Sequence, residues 1–268
     1  MLIEREQLES FEQNGFLLLR NVLDPATVEV LRERGDRLVD SGDPFFRTAD
    51  EEFHGLRNLL FLDPAFLQLV DLQAVLLPVI QILGFNIHLS SLHLSHIRSR
   101  DPARPWRGDW HTDIFGFEDD LREHTVRVGL KCAFALTRHD KPDSGVTILM
   151  PGTHRARGSV VLDRHDPAPL GAVQLPMNAG DCLVFENRVR HSRGHNTSGH
   201  TRKCVLVGYT FKWVMPLDSL DGFEVPEESL SPIAKDLLPR PYGVPGNGAL
   251  EALCHRHSVP LRPAFSLV

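Results

Sequence analysis

Hydrophobic and polar positions divide the chain into two unlike parts. In the first part, apolar residues recur with helical spacing after two Asp-Pro pairs, at 24–25 and 63–64. Asp caps a helix N-terminus and Pro fits its first turn, so each pair predicts the start of a helix, the second running to Gly84. The apolar run at 15–20 predicts a buried strand. Residues 1–85 are therefore expected to form helices around one short strand.

The second part consists of short apolar or alternating runs separated by turn residues. The runs are 87–97, 126–137, 145–150, 172–176, 181–186 and 203–214. Such a series predicts an antiparallel β sandwich or barrel. We therefore expect one domain over 1–268, mainly β with N-terminal helices. It would have a helical front (1–85), a β core (86–215) and a C-terminal helix and tail (216–268).

Composition describes an ordinary globular chain and excludes several classes of protein. The 268 residues carry a formal net charge of −6, and 29 basic against 35 acidic residues argue against binding to nucleic acid. No apolar stretch approaches the roughly 18 residues of a membrane span, so no membrane partner is expected. The first residues lack a basic head followed by an apolar run, which favours a cytoplasmic protein. The four cysteines lie far apart, which argues against a disulfide scaffold or a cysteine zinc site.

Histidine is unusually frequent, with 14 in 268 residues, and one lies in the run WHTD at 110–113. In a strand, positions i and i+2 share one face, so His111 and Asp113 would point the same way. With one distant histidine they would form a 2-His-1-carboxylate triad, which suits Fe(II) with open coordination positions. The pair taken alone is equally compatible with a solvated loop.

A second candidate histidine follows a turn and an apolar strand at 180–186. His191 is expected where that strand ends, and Arg202 at the start of the next strand, which returns antiparallel beside it. A guanidinium at this place offers a planar fork for a carboxylate of a dicarboxylic cosubstrate. Taken separately, His191 is compatible with a strand-end turn and Arg202 with a surface charge.

Three ordered blocks resemble the phytanoyl-CoA dioxygenase family of Fe(II)/2-oxoglutarate-dependent oxygenases. The blocks are WHTD (110–113), SGVTILMPGTH (144–154) and GDCLVFENRVRHSRGHNTSGHTR (180–202). The family has an Asn five residues and an Arg eleven residues after its distal His, and His191, Asn196 and Arg202 keep these offsets. The opening segment 11–34 is also similar to the family, so the resemblance covers roughly residues 5–214.

The resemblance implies a double-stranded β-helix, the jelly-roll fold that is also called cupin-like. Position by position, it implies His111, Asp113 and His191 as the iron ligands. It implies Arg202 as the anchor of the 2-oxoglutarate C5 carboxylate. His195 is a weaker candidate for the distal ligand, because it would spoil the offset to Arg202.

The cofactor implied by the resemblance is Fe(II), and the cosubstrates are 2-oxoglutarate and O2. We expect an oxygenase that hydroxylates or otherwise oxidises an unactivated C–H bond of a small molecule, with release of succinate and CO2. The substrate is expected to be a specialised metabolite, although no motif names it. Asp113 favours hydroxylation over halogenation, since iron halogenases of this type lack the carboxylate and bind chloride in its place. Two alternatives stay open: a cupin-like hydrolase or isomerase that does not use 2-oxoglutarate, and a non-catalytic binding protein.

Further residues are candidates for the walls of the site. His93 and Ser95 share one face of a core strand and are expected either to bind substrate or to belong to the core. His154 is expected to stabilise its turn rather than to reach the active site. Arg193 stands where the family has a small residue. The acidic run at 118–123 is either part of a lid that attracts a cationic substrate or a solvated face. The oligomeric state is not indicated.

Overall fold

The computed structural model describes most of the chain. The described residues are 2–41, 47–49, 53–106, 108, 110–113, 126–156, 162–163, 166–218, 230–239 and 246–259. The acidic run at 118–123 lies outside the described residues, so its predicted role is not tested. Over the described ranges, no helix has both the length and the apolar character needed to cross a lipid bilayer.

A helix at the first Asp-Pro pair and a strand over the first apolar run form where the sequence predicts them, but the strand is half-buried rather than buried. Helix α1 (Arg5–Asn14) ends where Gly15 takes a left-handed backbone with φ of 85°, and strand β1 (Phe16–Leu19) follows directly. Helix α2 (Pro25–Ser41) begins at the first Asp-Pro pair. There the Asp24 carboxylate accepts a hydrogen bond of 2.9 Å from the backbone amide three residues later. The capping side chain therefore defines the start of the helix.

The second Asp-Pro pair starts a 3-10 helix (Pro64–Leu69) instead of one continuous α-helix. A short helix α3 (Leu59–Leu62) precedes it, and helix α4 (Gln73–Leu83) follows it. The break coincides with a tertiary contact, since the buried Tyr209 hydroxyl donates a hydrogen bond of 2.8 Å to the Val70 carbonyl. That carbonyl is thus bonded to the sheet rather than to a helical amide.

The remaining elements are mostly strands, which form two antiparallel sheets. After β1, the strands are β2 (Arg47–Ala49), β3 (Phe53–Leu56), β4 (Ile87–Ile97), β5 (Gly129–Ala135), β6 (Ile148–Leu149), β7 (Val173–Gln174), β8 (Cys182–Glu186), β9 (His191–Ser192) and β10 (Arg202–Phe211). The larger sheet has the order β1-β8-β5-β10-β4-β3-β2, and the smaller sheet has the order β7-β6-β9. A small apolar cluster that includes Ala133, Leu149 and Phe185 lies between the two sheets. This arrangement is the predicted jelly roll.

Strands β2 and β3 correct the expectation of a single strand within residues 1–85. They pair antiparallel with each other, and β3 extends the larger sheet by pairing Gly55 with Ser95 of β4. The free edge of β4 offers unpaired backbone donors and acceptors to any extended neighbouring segment. Pairing with that edge, rather than local hydrophobic alternation, therefore decides that these segments become strands.

The main hydrophobic core lies between the larger sheet and helix α4. Eight of the eleven α4 residues are buried, and they belong to the same apolar cluster as Leu92, Phe134 and Val205 of the sheet. A helix that is apolar on all sides is typical of a protein interior. Because α4 covers one face of the larger sheet, the alternating side chains of β4, β5 and β10 are left to face the smaller sheet.

The described residues of the C-terminal segment form two helices, where the sequence predicted one helix and a tail. They are α5 (Pro232–Leu237) and α6 (Ala249–Arg256). The buried Asp236 carboxylate joins them, since it accepts a hydrogen bond of 3.1 Å from the Leu250 amide. It also lies 3.3 Å from the Lys212 ammonium just after β10. A buried ion therefore ties this segment to the sheet.

Two buried histidines make the stability of the fold sensitive to acid. Burial lowers the pKa of His96 from 6.5 to about 4 and that of His139 from 6.5 to about 3. The unfolded chain therefore binds more protons than the folded chain below pH 6.5, so stability is lost as pH falls from about 6.5 towards 4. Between pH 7 and pH 5, we expect the free energy of unfolding to fall by about 2 kcal/mol per histidine.

Urea unfolding of the EDTA-treated protein at the two pH values measures this loss. In His139→Leu, which removes a buried imidazole without adding a polar group, the loss is expected to be smaller. His200 is exposed, so His200→Leu is the matched control and should lose as much stability as the wild type. Equal losses in all three proteins would contradict the burial argument.

Candidate active site

The structure brings His191 next to His111 and Asp113, although most of the β core lies between them in sequence. One ligand atom from each residue lies within 4.8 Å of the others, and His191 Nε2 is 3.8 Å from Asp113 Oδ2. The backbones of the two histidines exchange two hydrogen bonds of 3.0 Å, and the Asp113 amide donates one of 2.8 Å to the Asn187 carbonyl. These backbone contacts hold three potential metal ligands on one side of the sheet.

The orientation of the His191 ring leaves one nitrogen for the cluster. Its Nδ1 lies 2.9 Å from the Val189 carbonyl oxygen, so the proton belongs on Nδ1 and the lone pair of Nε2 faces Asp113. Phe185 packs against the ring, with centroids 4.7 Å apart. Burial lowers the pKa of His191 to about 4. The imidazole is therefore neutral at neutral pH, which is the form that binds a metal.

The two oxygens of the Asp113 carboxylate have different environments. Oδ1 accepts a hydrogen bond of 2.6 Å from the Lys131 ammonium, whereas Oδ2 is buried without a hydrogen-bond partner among the described residues. Burial by itself would raise the pKa of Asp113, but the charge and hydrogen bond of Lys131, together with the neighbouring His191 and His111, outweigh burial and keep the pKa below its usual value. An ionised buried oxygen without a donor is costly unless a cation contacts it. This oxygen and the two imidazoles therefore fit an Fe(II) site.

Arg202, the first residue of β10, is buried and reaches the same cavity as the three ligand candidates. Its Nη1 donates a hydrogen bond to the Ser95 hydroxyl and its Nη2 donates one to the Thr147 hydroxyl, both of 3.3 Å. Its Nε has no hydrogen-bond partner in the part of the chain that the structure describes. A buried guanidinium held by two long bonds to neutral hydroxyls is suited to an anion, above all to a carboxylate in bidentate contact.

Two residues of the sequence blocks act by positioning Arg202. The buried Asn196 amide donates hydrogen bonds to the carbonyls of Ile97 at 2.8 Å and His200 at 2.7 Å, which closes the loop between β9 and β10. Gly145 has φ of 79°, and a Cβ at this position would lie 3.0 Å from the Arg202 Cβ. The Asn and Gly of the blocks are therefore explained by the loop geometry that places the guanidinium.

His93 and Ser95 lie in the wall of the cavity, as one of the two sequence readings expects. The Ser95 hydroxyl contacts Arg202 and helps to hold its guanidinium in the cavity. Arg193 points towards the cavity rim, where its guanidinium lies 5.3 Å from the centre of the Phe53 ring. The neighbouring Ser192 hydroxyl is buried and has no hydrogen-bond partner among the described residues. Ser192, rather than Arg193, thus presents an unpaired polar atom to the cavity.

The other histidines that the sequence raised as candidates lie elsewhere. His154 packs beneath α1, where its Nε2 is 3.1 Å from the Glu12 carbonyl oxygen, so it has the structural role that its turn predicts. His195 and His200 are not part of the described cluster of potential metal ligands. The distal ligand candidate is therefore His191.

Three polar residues of the cavity were missed by sequence reasoning: Lys131, Thr147 and Arg57. Lys131 had a detectable signal, since it is the one charged residue in the otherwise apolar strand β5 and shares a face with Ala133. Thr147 lies in a uniformly apolar run, so its face could not be assigned. Arg57 follows β3, a strand that the sequence did not predict, and it had no signal at all.

The comparison with protein families decides the wider relationship. A model of the phytanoyl-CoA dioxygenase (PhyH) family matches residues 11–204. The chain belongs to this family. The matched segment contains His111, Asp113, His191 and Arg202, and the resemblance that the three sequence blocks indicate is confirmed.

Individual members and neighbours are distant. An ectoine dioxygenase from Nocardia farcinica is 22% identical over 234 residues, which cover 76% of this chain and 77% of the relative. HygX from Streptomyces hygroscopicus, solved with nickel and 2-oxoglutarate bound, superposes with a TM-score of 0.66 at 19% identity, covering 82% of this chain and 92% of HygX. The epimerase SnoN, solved with Fe³⁺, alpha ketoglutarate and nogalamycin RO, has a TM-score of 0.63 at 15% identity, covering 90% of this chain and 95% of SnoN. The two structures confirm the fold, and their bound groups accord with the cofactors expected from the sequence.

Proposed function

We propose that the protein is an Fe(II)/2-oxoglutarate-dependent oxygenase that hydroxylates an unactivated C–H bond of a small molecule, a specialised metabolite. The observation that carries this proposal is the buried Arg202 guanidinium, which shares one cavity with the His111, Asp113 and His191 cluster. A metal site alone is common to many enzymes of different reaction types. Among the described residues, this buried cation has no carboxylate partner. A metal site next to such a cation calls for a small ligand that bears an acid group at a distance from its metal-binding end.

Each part of the cavity has a distinct task in this proposal. His111, His191 and Asp113 Oδ2 would hold iron, while Lys131 keeps Asp113 Oδ1 occupied so that one carboxylate oxygen faces the metal. Arg202 would hold the far carboxylate of 2-oxoglutarate. When bound, iron and 2-oxoglutarate supply oxidative chemistry with O2, and the balanced reaction converts R–H, 2-oxoglutarate and O2 into R–OH, succinate and CO2. The protein decides which C–H bond lies next to the metal.

Asp113 favours hydroxylation over halogenation, because its carboxylate occupies the place that a halide would need. The fold by itself leaves the reaction open, since SnoN is an epimerase. A cupin-like hydrolase or isomerase without 2-oxoglutarate would have no use for Arg202. A binding protein that had lost its activity would have no reason to keep Asp113 Oδ2 buried and unpaired next to two histidines. Both alternatives therefore leave a costly feature of the cavity unexplained.

The proposal is tested by adding Fe(II) and 2-oxoglutarate to the protein without oxygen. We expect a visible absorption band from charge transfer between iron and the bound keto acid. Succinate in place of 2-oxoglutarate is the matched control, and it should give no band because it lacks the keto group. Iron binding without a band would contradict the use of 2-oxoglutarate and would favour the hydrolase or isomerase.

A further inference from the structure

The described residues of the cavity carry more positive charge than iron and 2-oxoglutarate require. Besides Arg202, three basic side chains line it: Arg57, Lys131 and Arg193. Asp113 is the one carboxylate among the described residues of the lining. The charges of Fe(II), Asp113, doubly ionised 2-oxoglutarate and Arg202 cancel one another. Among the described residues of the lining, Arg57 and Lys131 would therefore remain as an excess in the loaded site. Arg193, whose guanidinium lies over the Phe53 ring, is left out of this balance.

A nearby acid reduces this excess without removing it. Arg57 Nη1 lies 3.8 Å from Asp218 Oδ1, beyond a normal hydrogen bond. Burial raises the pKa of Asp218, which weakens this carboxylate as a counter-ion for Arg57. Even with Asp218 fully ionised, the described side chains leave one positive charge over in the loaded cavity. A cleft that has one sign of charge and low-dielectric walls concentrates ligands of the opposite sign.

Two of the basic residues converge on one wall of the cavity. Burial lowers the pKa of His93 well below its usual value, and the next causes are the positive charges of Lys131 and Arg57. Arg57, Lys131 and His93 line the same cavity, and the His93 Nδ1 is buried and has no partner within the described residues. Lys131 is mostly buried, whereas the Arg57 side chain is 48% exposed and lies towards solvent. Together they form a polar wall that extends outwards from the metal ligand candidates.

We infer that the substrate is a small anion whose carboxylate or phosphate group binds at this wall, between Arg57 and His93, with Lys131 on its metal side. Arg57 is assigned as the residue that recognises the anionic group. This inference rests on the proposed function and adds the substrate class to it. An anionic substrate is the opposite of the cationic substrate that one interpretation of the acidic run at 118–123 would favour.

The test uses the anaerobic complex of the protein with Fe(II) and 2-oxoglutarate, whose absorption band responds to changes next to the metal. A panel of small carboxylic acids and phosphate monoesters is added, each paired with its neutral amide or its parent alcohol, and sodium sulfate is titrated as a simple oxyanion. We expect sulfate and the anionic members to shift the band, and the neutral members to leave it unchanged. Responses of equal size from charged and neutral members, or no response to any anion, would overturn the inference.

Arg57→Gln tests anion binding at this wall independently of 2-oxoglutarate binding. The band itself should form as in the wild type, while the concentration of anion needed to shift it should rise about 10-fold, as for the loss of one charge-assisted contact at a half-exposed site. Arg37→Gln makes the same change of charge on α2, where Arg37 pairs with Glu33, and should behave as the wild type. An unchanged anion response in Arg57→Gln would overturn the assignment. Absence of the band in the wild type would instead contradict the proposed function.

Discussion

Replacing Asp113 by Ala is expected to abolish succinate formation and to weaken iron binding by more than about 100-fold. The substitution removes the anionic member of the ligand cluster, whose Oδ2 has no other partner in the described part of the chain. It also deprives the Lys131 ammonium of the carboxylate oxygen that it contacts at 2.6 Å. A mostly buried positive charge would then face the metal without a neutralising group, which disfavours binding further.

Equilibrium dialysis with Fe(II) under anaerobic conditions and 2-oxoglutarate-dependent O2 consumption measure the two effects of Asp113→Ala. Asp140→Ala is the matched control, because the Asp140 carboxylate pairs with the exposed Arg138 side chain and does not line the cavity. Circular dichroism checks that both variants are folded. If Asp113→Ala kept wild-type turnover, the assignment of the metal ligands would be wrong.

Arg202→Ala is expected to raise the concentration of 2-oxoglutarate needed for half-maximal turnover on the order of 100-fold. This corresponds to the loss of a bidentate charge-assisted contact of roughly 3 kcal/mol. Iron binding should be little changed, because Arg202 contacts the Ser95 and Thr147 hydroxyls rather than a metal ligand candidate. The measurement is a titration with 2-oxoglutarate of both the charge-transfer band and succinate formation.

Lys203→Ala provides the control for Arg202→Ala on the neighbouring residue of β10. The Lys203 ammonium pairs with Asp36 at 2.6 Å on the opposite face of the strand, so its loss should leave the 2-oxoglutarate requirement unchanged. Arg202→Lys should fall between the wild type and Arg202→Ala, since it keeps the charge but loses the planar fork. An unchanged requirement in Arg202→Ala would place the anchor elsewhere in the cavity.

Short-range spacing explains why much of the candidate site could be predicted. His111 and Asp113 are two positions apart in the sequence. The segment from His191 to Arg202 consists mainly of the one loop that joins β9 to β10. The Asp24 cap likewise depends on contacts within one helical turn. Such features are carried by consecutive residues and need no knowledge of how distant segments pack.

Long-range pairing explains what could not be predicted. Strands β2 and β3 exist because β4 offers a free edge, and the break before α4 coincides with a hydrogen bond from Tyr209 on a strand far along the chain. Local sequence patterns are the same whether or not such partners are present. For the same reason the sequence predicted one C-terminal helix, whereas the structure has α5 and α6, which the buried Asp236 carboxylate joins.

The sequence by itself determined the family, the jelly-roll class and the four residues expected to hold iron and 2-oxoglutarate. Only the tertiary structure decided that His111 pairs with His191 across the backbone, and that Lys131 occupies one oxygen of Asp113. It also brought Arg57 to the cavity rim, which makes the charge of the substrate a testable question. The division has a simple physical reason. Residue spacing sets which side chains one strand or loop can present together, but the charge balance of a cavity depends on side chains from segments that meet only in the folded protein.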